Sequence, residues 1–104
     1  SPTYTVDAAT SILKLINHKA KGLVNVTNSI SSDCTWFTLA KQALEFCEID
    51  VQIDAISSAN YPSVANRPIY SALNNQKAEH ITGNQIPDWT DAVKRYLMEK
   101  QYIR

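Results

Sequence analysis

Glycine is nearly absent from this 104-residue chain: there are two, at positions 22 and 83. A dinucleotide-binding turn needs several glycines in one tight turn, because no other residue lets the backbone come as close to a pyrophosphate. Neither GxGxxG nor a Walker loop can be written with these two. Cysteine is almost as scarce. Cys34 and Cys47 form no CxxC pair and read as two free thiols in a reducing compartment, the cytosol. The two histidines, His18 and His80, lie far apart, so no clustered metal-ligand set exists. Neither has a nucleophile–base motif around it. There is no excess of charge, with ten basic and ten acidic residues, and no basic cluster of the kind a nucleic-acid binder shows. No apolar run approaches the roughly 20 residues of a membrane span, and no signal-peptide pattern opens the chain.

What is present is a globular composition. Apolar residues make up 44%, which argues against disorder. The length suits one domain over residues 1–104 with a modest core. Ala8, Ala9, Ile12, Leu15 and Ile16 repeat at helical spacing, which predicts a helix from about Asp7 to His18, with Asp7 as N-cap or first-turn acid. Gly22 is a stop signal after it. Leu23–Thr27 reads as a strand, so the glycosylation-like Asn25-Val26-Thr27 is taken as chance. Ser32 or Asp33 caps a second helix through about Glu48, with Trp36, Phe37, Ala40, Ala43, Leu44 and Cys47 on its buried face. Val51–Ala55 alternates strictly, the pattern of a half-buried strand. Asn74 or Asn75 caps a short helix ending at Gly83. Pro87 and Asp88 open a last helix, with Trp89, Ala92, Val93, Tyr96 and Leu97 on one face and Lys94, Arg95 and Lys100 elsewhere. Trp36 and Trp89 are expected as core anchors. The fold class expected is α/β, a small mixed α+β domain of three to four helices with two or three short strands. Two short strands alone make no stable sheet, so either Tyr70–Leu73 adds a third or the domain leans on something else.

The least regular stretch, Tyr61 to Leu73, carries the chemistry. Pro62 and Pro68 fix φ and remove two backbone donors, and rigid loops often hold binding groups. Arg67 sits between them. Its planar guanidinium pairs bidentately with phosphate, and Tyr61 and Tyr70 flank it. Two readings stand: Arg67 holds a diphosphate beside aromatic rings, or it bonds local carbonyls or a carboxylate and only shapes the loop. Tyr96-Leu97-Met98-Glu99-Lys100 fits YxxxK, the acid–base pair of short-chain dehydrogenases. Tyr96 falls on an apolar stripe, however, and no cofactor fold surrounds it, so core packing is the expected role.

Several segments together resemble a known family. Ser1-Pro2-Thr3-Tyr4, Gly22-Leu23-Val24-Asn25-Val26, Thr35-Trp36-Phe37 with Leu39-Ala40-Lys41, the Tyr61–Leu73 run and Pro87-Asp88-Trp89 are similar, in order and spacing, to the C-terminal part of dTDP-4-dehydrorhamnose reductase. That family are extended short-chain dehydrogenases. The resemblance implies reduction of dTDP-4-dehydro-L-rhamnose to dTDP-L-rhamnose with NADPH (NADH in some members). The cofactor site and the catalytic Tyr and Lys would lie in an N-terminal Rossmann domain that this chain lacks. Tyr96 and Lys100 therefore inherit no catalytic role. The chain is expected to be the substrate-binding lobe, with no catalytic, cofactor or metal residues of its own, and inactive alone. Arg67, Tyr61, Tyr70 and Ser71 are the expected substrate-binding residues. The abrupt Ser1-Pro2-Thr3 start suggests a piece of a longer protein. Its expected partners are a dTDP-sugar, the Rossmann domain and, through exposed apolar surface, a second copy. A stand-alone regulatory or oligomerisation module is the alternative.

Overall fold

The structure, a computed structural model, describes residues 2–56 and 71–103. Four helices are present among them: α1 (Thr5–Asn17), α2 (Trp36–Phe46), α3 (Gln76–Thr82) and α4 (Trp89–Glu99). The expected helices all form, with boundaries shifted by one to a few residues. The second starts later than Ser32 or Asp33 would set it. Thr35 is its cap, in a reciprocal capping box with Thr38 that satisfies two orphan donors at once.

The expected α/β fold is not found. Among the described residues there is no strand, and the domain is helical. Leu23–Thr27 and Val51–Ala55 have strand-like composition, but a strand needs an edge to pair with, and none is offered. The one β contact is a single parallel bridge between Ser29 and Asp88. At Thr27 a side chain takes the partner's place. The Asn75 amide accepts from the Thr27 N–H at 3.0 Å and donates to the Thr27 carbonyl, supplying both halves of one ladder rung. Val51 is exposed and Ile53 only half-buried. Residues 71–73 form no third strand, and Tyr70 lies outside the described residues.

The packing follows two helix pairs, α1 against α3 and α2 against α4. Leu15, Ala78 and Ile86 form the core of the first, with Ala20, Val24, Val26 and Ile81 packed around them. Trp89, Ala92 and Leu97 are buried on α4. Trp89, 2% exposed, is the core anchor expected of it, although its indole N–H finds no acceptor. Trp36 is the opposite. It stands at the first position of α2 and is 86% exposed, on a helix none of whose side chains is fully buried.

Polar contacts join the two pairs. Asn28, 0% exposed, accepts from the Tyr4 N–H at 2.7 Å and donates to Asp7 Oδ2 at 2.7 Å and the Pro87 carbonyl at 3.1 Å. A buried amide with its donors and acceptor met in this way fixes the chain around it instead of weakening it. Ser29 extends the junction: its N–H donates to the Pro87 carbonyl, its carbonyl accepts from the Trp89 N–H, and its hydroxyl donates to the Ile86 carbonyl.

Candidate ligand-binding region

Of the four expected substrate-binding residues, Tyr61, Arg67 and Tyr70 lie outside the described residues, and Ser71 is described and exposed. What the structure shows is the frame on which that stretch is hung. At one end Asn75 is buried and clamped to Thr27. Asn74 Oδ1 accepts from the Gln76 N–H at 2.7 Å, a local turn that leads the chain into α3. Gly83 then ends that helix at φ 72°, a left-handed conformation that only glycine takes without strain.

The strongest electrostatic feature is a residue that the sequence marked only as a first-turn acid. Asp7 is buried. Arg95 reaches it from α4 with both terminal guanidinium nitrogens, at 2.6 and 2.9 Å. Arg95 Nε also donates to Asp91 at 2.8 Å, one turn back, and the guanidinium lies 5.3 Å from the centre of the Tyr4 ring. Burial pushes the Asp7 carboxyl up, but the hydrogen bonds from Arg95 and Asn28 outweigh it and hold it below the ordinary carboxylate value. Hydrogen bonding to Asp7, and then to Asp91, raises the Arg95 pKa. Tyr4 stacks edge-on against Tyr96 at 6.1 Å and donates to Glu99. That bond raises its own pKa. The fork-to-carboxylate geometry is a structural clamp between α1 and α4, with its charges already matched.

Asp88 has a similar role at the head of α4. It accepts from the Thr90 N–H and hydroxyl and from the Ser31 N–H. Burial raises its pKa, and the Thr90 and Ser31 hydrogen bonds more than offset that. Tyr96 and Lys100, the YxxxK pair, are joined only through the helix backbone, by the Lys100 N–H donating to the Tyr96 carbonyl. Tyr96 is half exposed instead of core-packed. His18 bonds the Lys14 carbonyl and His80 is exposed. Among the described residues no group of three metal-ligating side chains exists. Cys34 and Cys47 are free, and burial pushes the Cys34 thiol up, away from the reactive thiolate.

Depressions of the described surface include two beside the 84–87 turn. One, about 180 Å³, lies between α1, α3 and the 84–87 turn, with Asp7, Ser11, Lys14 and Gln85 in its wall. It is smaller than the roughly 300–1,000 Å³ of ordinary ligand sites. The other, about 580 Å³, runs past Ser29, Ser31, Pro87 and the carboxylates of Glu79 and Asp88. Two carboxylates repel a phosphorylated ligand. The larger depression is therefore not built to take a diphosphate.

The sequence model of the family described as "RmlD substrate binding domain" matches residues 1–102. Among curated proteins, the chain is 32% identical over 100 residues to the spore coat polysaccharide biosynthesis protein SpsK of Bacillus subtilis (strain 168), covering 96% of this chain and 34% of that one. It is 30% identical over 71 residues to a dTDP-4-dehydrorhamnose reductase of Sinorhizobium fredii, covering 64% and 24%. It is 28% identical over 93 residues to a dTDP-4-keto-6-deoxy-D-glucose reductase of Streptomyces niveus, covering 88% and 32%. The chain thus spans about a third or less of the length of these relatives. No solved structure matches it significantly.

Proposed function

Because the chain belongs to the RmlD substrate-binding-domain family, we propose that it is the part of a dTDP-sugar reductase that holds the nucleotide sugar. The family match over residues 1–102 carries this reading. The reaction is reduction of the 4-keto group of dTDP-4-dehydro-L-rhamnose to dTDP-L-rhamnose. The names of two relatives support a 4-keto sugar nucleotide as the substrate class. The hydride comes from NADPH, or NADH, held by a Rossmann domain that supplies the catalytic Tyr and Lys. With two glycines, at 22 and 83, this chain has no turn for the cofactor's pyrophosphate, so it binds without catalysing. The protein acts in the cytoplasm, where Cys34 and Cys47 stay reduced.

Arg67 pairs with the diphosphate, between the rings of Tyr61 and Tyr70, and Ser71 bonds the ligand at the edge of the same run. The charges of the described frame support this assignment. Arg95 is committed to Asp7 and Asp91 and Glu79 and Asp88 line the larger groove, so neither presents a free guanidinium fork to a phosphate. The test is a titration of ¹⁵N-labelled chain with dTDP and with a dTDP-sugar. Amide shifts concentrated at Tyr61, Arg67, Tyr70 and Ser71 are expected. Arg67→Ala should lose about 1.5–3 kcal/mol of binding, the range for hydrogen bonds to charged groups, about 10- to 150-fold in Kd, with the helix content unchanged. Binding unaffected by Arg67→Ala, with a lowered Tm, would assign Arg67 to shaping the loop instead.

A further inference from the structure

Asp7, Ser11 and Lys14 recur at i, i+4 and i+7 along α1 and so share one face of the helix. That face forms a wall of the smaller depression, against α3 and the 84–87 turn. Ser11 is only 9% exposed, and its hydroxyl has no hydrogen-bond partner among the described residues. Buried polar groups are nearly always paired, and one left unmet costs free energy. The neighbouring Thr10 returns its hydroxyl to the Val6 carbonyl at 2.8 Å. Ser11 lines the depression with its own hydroxyl unused.

The groups around that hydroxyl are of both kinds. Lys14 is half-buried and brings an ammonium with donors only. It forms no ion pair among the described residues, where the salt bridges are those of Arg95. Asp7 brings a carboxylate with about four lone-pair sites. Arg95 and Asn28 fill three of them, so one more donor can be met. Gln85 adds an exposed amide, at once donor and acceptor. Ala78 and Ile86, 1% and 8% exposed, supply an apolar patch. An anion suits Lys14 but is repelled by Asp7, and a cation meets the reverse. A neutral molecule rich in hydroxyls satisfies both, because each hydroxyl donates and accepts, and its C–H surface suits Ala78 and Ile86. Size narrows the choice. A cavity of about 150 Å³ takes a benzene-sized ring, so one of about 180 Å³ takes a single six-membered ring and no nucleotide.

We propose that this depression is a binding site for one neutral pyranose, held by Ser11, Lys14, Asp7 and Gln85 over the apolar patch of Ala78 and Ile86. The Ser11 hydroxyl gains the partner that the chain does not give it. Lys14 donates to a ring or hydroxyl oxygen, and Asp7 accepts from a hydroxyl. A ligand of this size binds with a Kd on the order of 1 mM. The residues assigned to the nucleotide sugar are others, so the two sites stand or fall separately.

Titration of the whole ¹⁵N-labelled chain with methyl α-D-glucopyranoside tests it, with inorganic phosphate and methylammonium as charged controls. Amide shifts centred on Ser11, Lys14, Ala78 and Gln85 are expected, saturating with a Kd on the order of 1 mM and absent with either ion. Ser11→Ala should weaken binding about 2- to 12-fold, the loss of one hydrogen bond. It should leave Tm unchanged or raise it, because the hydroxyl has no internal partner to lose. Ser11→Leu fills the depression and should abolish binding. Where that variant does not fold, Lys14→Met, which alters a half-buried side chain, carries the same test and should weaken binding to a similar degree. The proposal is overturned by the absence of saturable shifts at about 50 mM glycoside, roughly 50 times the expected Kd. Shifts centred on Ser71, tighter binding of either ion, or Ser11→Ala and Lys14→Met binding like the wild type would overturn it as well.

Discussion

Asp7 is the residue on which the two helix pairs converge, and its consequences can be measured. Its folded pKa lies below the unfolded value of 3.8. Such a group adds stability that is fully present above the unfolded pKa and is lost as pH falls through the folded one. Asp88 acts in the same direction. Stability in urea should therefore hold down to about pH 5 and fall below about pH 4. Asp7→Asn should flatten part of that acid slope and lower stability by about 1–3 kcal/mol near neutral pH, since Arg95 loses a buried charged partner but stays partly hydrated. An acid profile identical to that of the wild type would place the controlling carboxylate elsewhere. Little of this clamp was legible in the sequence. Asp7 was readable as a first-turn acid and Arg95 as a residue off the apolar stripe, but the two are 88 positions apart. No local pattern connects them. Trp36 fails for a related reason. Its type and helical position suggested a core anchor, yet exposure depends on what lies opposite, and spacing along one helix does not report that.

Helices were readable where their ends are written locally. Asp88 before Trp89, Asn75 before Gln76 and Gly83 after Thr82 all stand at helix boundaries. Strands were not readable, because a strand is defined by a partner and Val24, Val26 and Ile53 say nothing about whether an edge will meet them. The helix ends also hold a feature that composition hides. α1, α2 and α4 each close in a Schellman motif, with Ala20, Ile49 and Tyr102 donating back to Leu15, Leu44 and Leu97. The left-handed position in each is a side-chain-bearing residue: Lys19 at φ 53°, Glu48 at 56° and Gln101 at 64°. Glycine is favoured there. Gln101→Gly should therefore raise stability by up to about 1 kcal/mol, read as a higher Tm, and a drop would show that the side chain contributes a contact of its own. At the other end of α4, Asp88→Ala removes the cap and the tie to Ser31, and should lower stability by about 1–2 kcal/mol.

For the molecule as a whole, the imbalance between a small core and a large exposed apolar surface governs the response to denaturant. The buried hydrophobic residues described are Leu15, Ala78, Ile86, Trp89, Ala92 and Leu97. The denaturant slope scales with the surface exposed on unfolding. Urea unfolding should be shallow, with m near about 1 kcal/mol/M, the low end for small proteins. A slope of about 2 kcal/mol/M or more would mean that far more surface is sequestered than these residues account for.

The amide of Asn75 that takes the place of a strand at Thr27 closes a loop of the chain, since the two residues are 48 positions apart. It works beside the Asn28, Ser29 and Ser31 bonds and the packing of α2 on α4 to hold the start and the end of that loop. Closing a flexible loop becomes harder only with the logarithm of its length, about 0.6 kcal/mol for each doubling. Insertions or deletions in the Arg67-bearing run should thus leave the helical frame intact. A fold tied in this way can change the length of that run without having to rebuild the rest of the domain.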